Sequence, residues 1–185
     1  MGDADLEKYC QWAVERGATQ AKQIHPSSVV TGAWVCWKCQ FGCPGYNISY
    51  GCPPDSPTPE QTQAIIDCYQ RAILVHFEVP PLEPNEPKHY FQLYQKLHAM
   101  VIELEAEIFK DGYYKAVSFL FGGCIACQEC TKPTGEPCRL RLKLRPSMEA
   151  SGIDVYQTVR NNGLFIETLR CRDETRNQYC LVLVD

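Results

Sequence analysis

The chain has 185 residues, and its hydrophobic fraction of 45% and charged fraction of 22% are typical of one soluble globular domain. A net charge of -4 argues against nucleic acid as an obligate partner, and no apolar run reaches the roughly 18 residues that span a bilayer. The acidic N-terminus lacks the basic and apolar regions of a signal peptide. We therefore expect a single cytoplasmic domain over residues 1–185 that associates with neither membranes nor nucleic acid.

The first third of the chain predicts a helix, a strand and a long loop. The helix is expected over residues 3–16, where a glycine follows as a stop signal. The β-branched and aromatic residues 29–35 predict a strand that leads into a cysteine-rich segment. Glycine and proline are frequent in residues 42–59, which indicates an irregular loop. The next helix is expected to be capped by Thr58 and to end near residue 71.

The remainder of the chain alternates strands and helices. A largely apolar strand is expected at 72–79, then a proline-rich connection at 80–87, and apolar positions three and four residues apart predict the longest helix, at 88–110. The other expected elements are strands at 115–121, 164–169 and 180–184 and a helix at 153–162. This alternation predicts an α/β fold, a partly parallel mixed sheet flanked by helices, with cysteine-rich cluster-binding loops (36–57 and 122–150) at strand ends.

The chain contains 12 cysteines, which is a large number for its length. In a reducing cytoplasm a disulfide framework is not expected, so metal binding or catalysis becomes the default interpretation. Partly exposed clusters would further indicate an anaerobic or oxygen-poor cell.

Cys124, Cys127, Cys130 and Cys138, named here the second cysteine group, give the clearest metal-binding pattern. The C-x2-C-x2-C run places three thiolates around one small volume, which suits three corners of a [4Fe-4S] cluster. Cys138 would supply the fourth corner, or would exchange with Cys52, because the fourth cysteine of two-cluster ferredoxins ligates the other cluster. The alternative for these residues is a structural zinc site.

Cys36, Cys39, Cys43 and Cys52, named here the first cysteine group, offer four further thiolates. Proline follows the last of them, as it does in the bacterial ferredoxin run. Cys36, however, falls in the predicted strand, where it and Cys39 would point to different faces. The role of Cys36 as a ligand therefore stays open at this point, and Cys171 or Cys180 is an alternative fourth ligand.

Other residues near the cysteines are candidates for supporting roles. Cationic residues alternate with leucines and predict a strand whose basic face would offset cluster charge, dock an acidic redox partner or simply be solvated. They are Arg139, Arg141, Lys143 and Arg145.

Aromatic residues crowd the first group and would shield a cluster or form core. They are Trp34, Trp37, Phe41, Tyr46 and Tyr50. Glu149 and Asp154 are candidate catalytic carboxylates, although Asp154 also suits a helix N-cap.

Two blocks of sequence carry a resemblance that covers most of the chain. They are Lys38-Cys39-Gln40-Phe41-Gly42-Cys43-Pro44-Gly45-Tyr46 with Cys52-Pro53-Pro54, and the second cysteine group with Pro137-Cys138-Arg139 and Arg145-Pro146-Ser147-Met148-Glu149-Ala150. In these residues the chain resembles an uncharacterised cysteine-rich prokaryotic family of predicted metal-binding proteins. The resemblance implies metal binding, in the form of iron–sulfur clusters, with no established reaction. The family's first block begins at the position of Cys39, so Cys36 is an addition to the pattern.

The cysteine pattern predicts a small soluble protein with two [4Fe-4S] clusters that transfers single electrons between redox partner proteins. Full ligation by four thiolates leaves no open iron for a substrate, which favours transfer over chemistry. One alternative is a redox enzyme or activase component in which a cluster with three protein ligands leaves an iron open. Another is a binding module stabilised by zinc. A homodimer is compatible with the sequence, which does not determine the oligomeric state.

Overall fold

The computed structural model describes residues 6–81, 87–171 and 173–185. The elements are α1 (Glu7–Glu15), β1 (Gln20–Ile24), α2 (Ala33–Gly42), α3 (Pro59–Ile66), β2 (Ala72–Val79), α4 (Pro87–Lys110), β3 (Val117–Phe119), α5 (Val155–Asn161) and β4 (Arg176–Leu183). Short 3₁₀ helices lie at Pro26–Ser28, Lys132–Thr134, Arg141–Lys143 and Glu149–Ser151. The start of the predicted first helix, residues 3–5, and most of the predicted proline-rich connection, 82–86, lie outside the described residues.

The four strands form one sheet in the order β1-β2-β4-β3, and every neighbouring pair is antiparallel. The prediction of a partly parallel sheet is therefore wrong. The helix α4 does connect β2 to β3, and these two strands run in the same direction. The C-terminal strand β4 lies between them, however, and pairs antiparallel with both. The order of elements along the chain does not reveal this insertion, because a crossover can skip one strand position.

The central strands β2 and β4 are buried on both faces of the sheet. On β4, Cys180 and Val182 face the core formed with α1 and α4, whereas Tyr179 and Leu181 face a second core that includes residues of α3 and α5. Strands covered on both sides read as almost continuous apolar runs, as β2 does. This two-sided burial explains why β2 is predicted correctly from composition.

Several predicted elements are confirmed. Strand β2 occupies the predicted residues 72–79, and α4 begins one residue before the predicted start. At α3 the Thr58 side chain accepts a hydrogen bond from the backbone N–H of Gln61, and the Gln61 side chain bonds back to the backbone N–H of Thr58. This reciprocal cap fixes the start of the helix as expected. The helix ends at Ile66, five residues before the predicted end.

The structure differs from the prediction in three segments: two predicted strands are absent, and one strand was not predicted. Residues 33–42 form helix α2, so the strand expected at 29–35 is wrong. The strand expected at 164–169 is also wrong, because that segment has no regular secondary structure. Strand β1 was missed because it is a polar edge strand, in which only Ile24 is fully buried. Partially exposed edge strands carry a weak apolar signal.

Candidate metal centre

Helix α2 carries Cys36 and Cys39 of the first cysteine group, and Cys43 follows directly as its C-cap. The three cysteines are separated by three and four residues, so Cys36 and Cys39 lie on one face of the helix and Cys43 continues that face at its end. The prediction that Cys36 and Cys39 point to different faces is therefore wrong, because the segment is a helix instead of a strand. The helix ends at Gly42 since Cys43 precedes Pro44 and adopts an extended backbone, as residues before proline do.

Cys52 joins this face from the loop that follows α2. Its side chain is buried, and the Ser49 hydroxyl donates a hydrogen bond to its Sγ over 3.2 Å. Similarly, the backbone N–H of Gly45 donates to Sγ of Cys43 over 3.4 Å. Hydrogen bonds to a ligating sulfur stabilise its anionic form and tune the potential of a cluster.

The pKa of the Cys39 thiol depends on the other cysteines of its group. Burial, which is the largest cause, and the neighbouring thiols of Cys43, Cys36 and Cys52 and the carboxyl group of Glu149 together raise its pKa to about 11. Negative charge on this thiol is therefore disfavoured without a cation nearby. The structure thus places the other three cysteines of the first group close enough to Cys39 to interact with it electrostatically.

The second cysteine group surrounds a cavity of about 260 Å³ in the loop after β3. All four of its residues line the cavity, together with side chains that include Tyr50, Leu140 and Leu144. Burial raises the pKa of Cys124, and the other three thiols of the group raise it further. A hydrogen bond from the backbone N–H of Ala126 acts in the opposite direction and lowers it. The structure therefore brings together the four residues that the spacing predicts.

Helix α4 holds this loop in place through side chains on one side. The Gln95 amide donates to the Ile125 carbonyl over 2.8 Å, and the buried His98 ring nitrogen Nε2 lies 3.0 Å from the Phe121 carbonyl. Farther along, Glu105 accepts from both the backbone N–H and the hydroxyl of Ser118, at 2.7 and 2.6 Å. These contacts fix the entry to the cysteine loop on a rigid helix.

The expected basic strand at 139–145 is not present. Residues Arg141–Lys143 form a 3₁₀ helix, so the cations do not share one strand face. Arg145 turns inward and binds Glu105 through two nitrogens, with Nη2 2.5 Å from Oε1 and Nε 2.9 Å from Oε2. Arg139 donates to the Glu129 carbonyl over 2.5 Å. Arg145 therefore stabilises the fold, and the row is not a continuous docking face.

The two loops that carry the cysteine groups are in contact with each other. A Cβ placed on Gly51 would lie only 3.0 Å from the Cβ of Cys124, so the two loops touch at this point. Because Cys52 follows Gly51 directly, the Cα atoms of Cys52 and Cys124 lie within about 10 Å of each other. Lys132 forms an ion pair with Asp55 across the same boundary.

Within the described part of the chain, no three His, Cys, Asp or Glu side chains converge on a single point as ligands of one metal ion. A tetrahedral zinc ion, with Zn–S distances of about 2.3 Å, would hold its sulfur ligands only about 3.8 Å apart. A [4Fe-4S] cluster holds its thiolates farther apart, since four iron atoms stand between them.

The remaining cysteines lie elsewhere. Cys10 and Cys180 are buried in the apolar core, where burial raises the pKa of both thiols, as free core cysteines do. Cys68 is exposed and lies two residues beyond the end of α3. Cys171 is exposed, with its Sγ 3.6 Å from a carboxylate oxygen of Glu174. The structure places none of them within either cysteine group.

A pocket of about 700 Å³ beside the first group was missed by the sequence reasoning. Rings from α2, α5 and β4 line it, and we name it the aromatic pocket. These rings belong to Trp34, Trp37, Phe41, Tyr156 and Tyr179. Cys39, Cys43 and the candidate carboxylate Glu149 also contribute to its wall, whereas Asp154 caps α5 by accepting from the backbone N–H of Gln157. The spacing of three and four between the α2 rings is the sequence signal that would have indicated a helix.

Comparison with known proteins places this chain in a family. No curated protein and no solved structure matches it significantly. In the described residues, no helix is both long and apolar enough to cross a membrane. A family model described as predicted metal-binding protein (DUF2284) matches residues 22–184, a range that includes both cysteine groups. The chain therefore belongs to the DUF2284 family of predicted metal-binding proteins.

Proposed function

We propose that the protein binds two [4Fe-4S] clusters, one in each cysteine group, and transfers single electrons between partner proteins. The observation that carries this proposal is the cavity of about 260 Å³ bounded by all four cysteines of the second group. Thiolates are the ligands that such clusters take, and each group offers four. Electron transfer follows from this count, because fully ligated irons leave no open site for a substrate.

The size of the cavity favours a cluster over a single zinc ion. One ion needs no more room than a water molecule, whose share of liquid volume is about 30 Å³. The cavity is several times larger than this, so a group of several atoms fills it better. A zinc ion would require the four thiols to move together and the loop to close.

The closeness of the two groups supports a relay of electrons within the chain. The contact between Gly51 and Cys124 leaves no intervening layer of side chains at that point. Cys43 is exposed, and the members of the second group are all partly exposed. An electron entering at one group would therefore pass to the other and leave from the surface.

Reductive titration tests the proposal directly. Anaerobically purified protein is titrated with dithionite while its absorbance near 400 nm is followed. We expect about two electrons per chain for the wild type and about one for Cys127→Ser, which removes a ligand of the second group only. Cys68→Ser, an exposed cysteine outside both groups, serves as the control and should still accept two. A folded, metal-loaded protein that accepts no electrons would refute the proposal.

A further inference from the structure

We propose that the aromatic pocket binds a planar aromatic molecule that carries a hydrogen-bond acceptor, stacked on the rings of α2 and in contact with Cys39 and Cys43 of the first cysteine group. This goes beyond electron exchange between proteins, because it gives the chain a small-molecule ligand. The binding itself depends on the fold of the pocket and not on the identity of the metal.

The rings of α2 are unusually exposed for their size. Trp34, Trp37 and Phe41 have 48%, 63% and 68% of their surface open to solvent, and the rings of Trp37 and Phe41 lie 5.3 Å apart. Cys39 and Cys43 line the same pocket, so the rings and the first cysteine group border one cavity. Contiguous exposed apolar surface of this kind marks a ligand groove or an interaction site.

The opposite wall of the pocket completes a concave site. Tyr179 of β4 is held by a parallel stack on His76, with ring centroids 4.5 Å apart. Tyr156 of α5 adds a further ring, and Ile166 and Leu169 add aliphatic surface. The volume of about 700 Å³ lies within the range of small-molecule sites, about 300 to 1,000 Å³. A concave pocket between ring-bearing walls suits a flat molecule better than a flat protein surface.

Four polar side chains of the wall have partners within the chain, whereas Nη1 of Arg176, also in the wall, is buried without a hydrogen-bond partner among the described residues. The bonds are Tyr179 hydroxyl to Phe165 carbonyl at 2.6 Å, Gln178 amide to Tyr94 hydroxyl at 3.1 Å, Asn177 Oδ1 to the His76 ring at 2.8 Å, and Asp154 Oδ1 to the Gln157 N–H at 2.9 Å. A ligand would gain little from competing for these groups. The attraction that remains comes from the Arg176 guanidinium, which suits a hydrogen-bond acceptor on the ligand, and from the ring faces, which favour stacked or edge-on aromatic partners.

Titration calorimetry under anaerobic conditions tests this inference with three probes. Riboflavin and 2-naphthol have planar ring systems, whereas decahydro-2-naphthol has the carbon skeleton and hydroxyl of naphthol on rings that are not flat. We expect at least one planar probe to bind with a dissociation constant in the range of about 10 to 100 μM, and decahydro-2-naphthol to bind at least about tenfold more weakly.

Variants locate the binding. Trp37→Leu and Phe41→Leu keep apolar side chains but remove rings, and each should weaken binding about 3- to 10-fold. Trp12→Leu, on α1 and outside the pocket wall, should leave the affinity unchanged.

Iron and sulfide are assayed in the same samples, so that a protein without clusters is recognised separately from a protein that does not bind the probe. The inference is overturned if neither planar probe binds below about 1 mM, or if the ring variants bind as tightly as the wild type. The α2 rings would then be left as a docking face for a protein.

Discussion

Cys36 is the residue whose role changes most once α2 is known to be a helix. It lies on the same face as Cys39 and next to Cys43, which makes it the natural fourth ligand of the cluster proposed for the first cysteine group. We predict that Cys36→Ser lowers the iron content of anaerobically purified protein from about eight to about four atoms per chain. Cys171→Ser, an exposed thiol, is the control and should keep the wild-type content. Unchanged iron in Cys36→Ser would show that another residue completes the site.

Gly51 is the second residue with a specific structural role, because the two cysteine loops meet there. A side chain at this position would meet the Cβ of Cys124 at 3.0 Å and a methyl group of Leu144 at 3.2 Å. We predict that Gly51→Val lowers the free energy of unfolding by about 1 to 3 kcal/mol through overpacking. Urea denaturation measures this change. Gly42→Ala, where no atom lies within 4 Å of the added Cβ, should not destabilise the protein.

At the scale of elements, α4 acts as the support of the second cysteine loop. Glu105 is buried and binds both Arg145 and Ser118. Glu105→Gln keeps the size of the side chain but leaves the arginine without its anionic partner, and we predict a loss of about 3 kcal/mol in the free energy of unfolding. Lys110→Ala breaks an exposed ion pair with Glu107 on the same helix and should change stability by less than about 0.5 kcal/mol. Equal effects of the two substitutions would contradict this role of Glu105.

His98, on the same helix, predicts a dependence of stability on pH. Burial lowers its pKa to about 4, from an ordinary value near 6.5. The unfolded chain therefore binds a proton that the folded chain does not, so stability falls as the pH drops from about 6.5 towards 4. We predict that the wild type loses about 1 kcal/mol more than His98→Gln between pH 7.5 and 5.5. Urea denaturation at both pH values tests this, with His89→Gln, an exposed histidine of α4, as the control that keeps the wild-type slope.

Elements with local signals are the ones that the sequence predicts well. The N-cap at Thr58, the apolar run of β2 and the spacing in α4 all lie within short windows. Helix α2 was missed because its β-branched approach and many aromatic residues favour a strand by composition, although its cysteines and rings follow helical spacing. Residues 164–169 are apolar enough for a strand but have no neighbouring strand to pair with, a property that no short window reveals.

At the scale of the whole molecule, the sheet order and the meeting of the two cysteine groups depend on contacts far apart in sequence. The spacing within each group predicts its members, but it contains no information on the distance between Cys52 and Cys124. The structure shows this distance through the contact at Gly51. We predict that the two proposed clusters, when reduced, interact magnetically, and that their electron paramagnetic resonance signals are broadened relative to those of Cys127→Ser. Identical line shapes in the two samples would contradict the proposed closeness.

Metal and sulfide analysis of the anaerobically purified wild type, combined with Mössbauer spectroscopy, tests most directly whether eight thiolates hold two [4Fe-4S] clusters, as we propose. We predict about eight irons and eight sulfides per chain, with the Mössbauer parameters of [4Fe-4S] clusters and only traces of zinc. A correctly folded protein that contains stoichiometric zinc, or no metal at all, would contradict it.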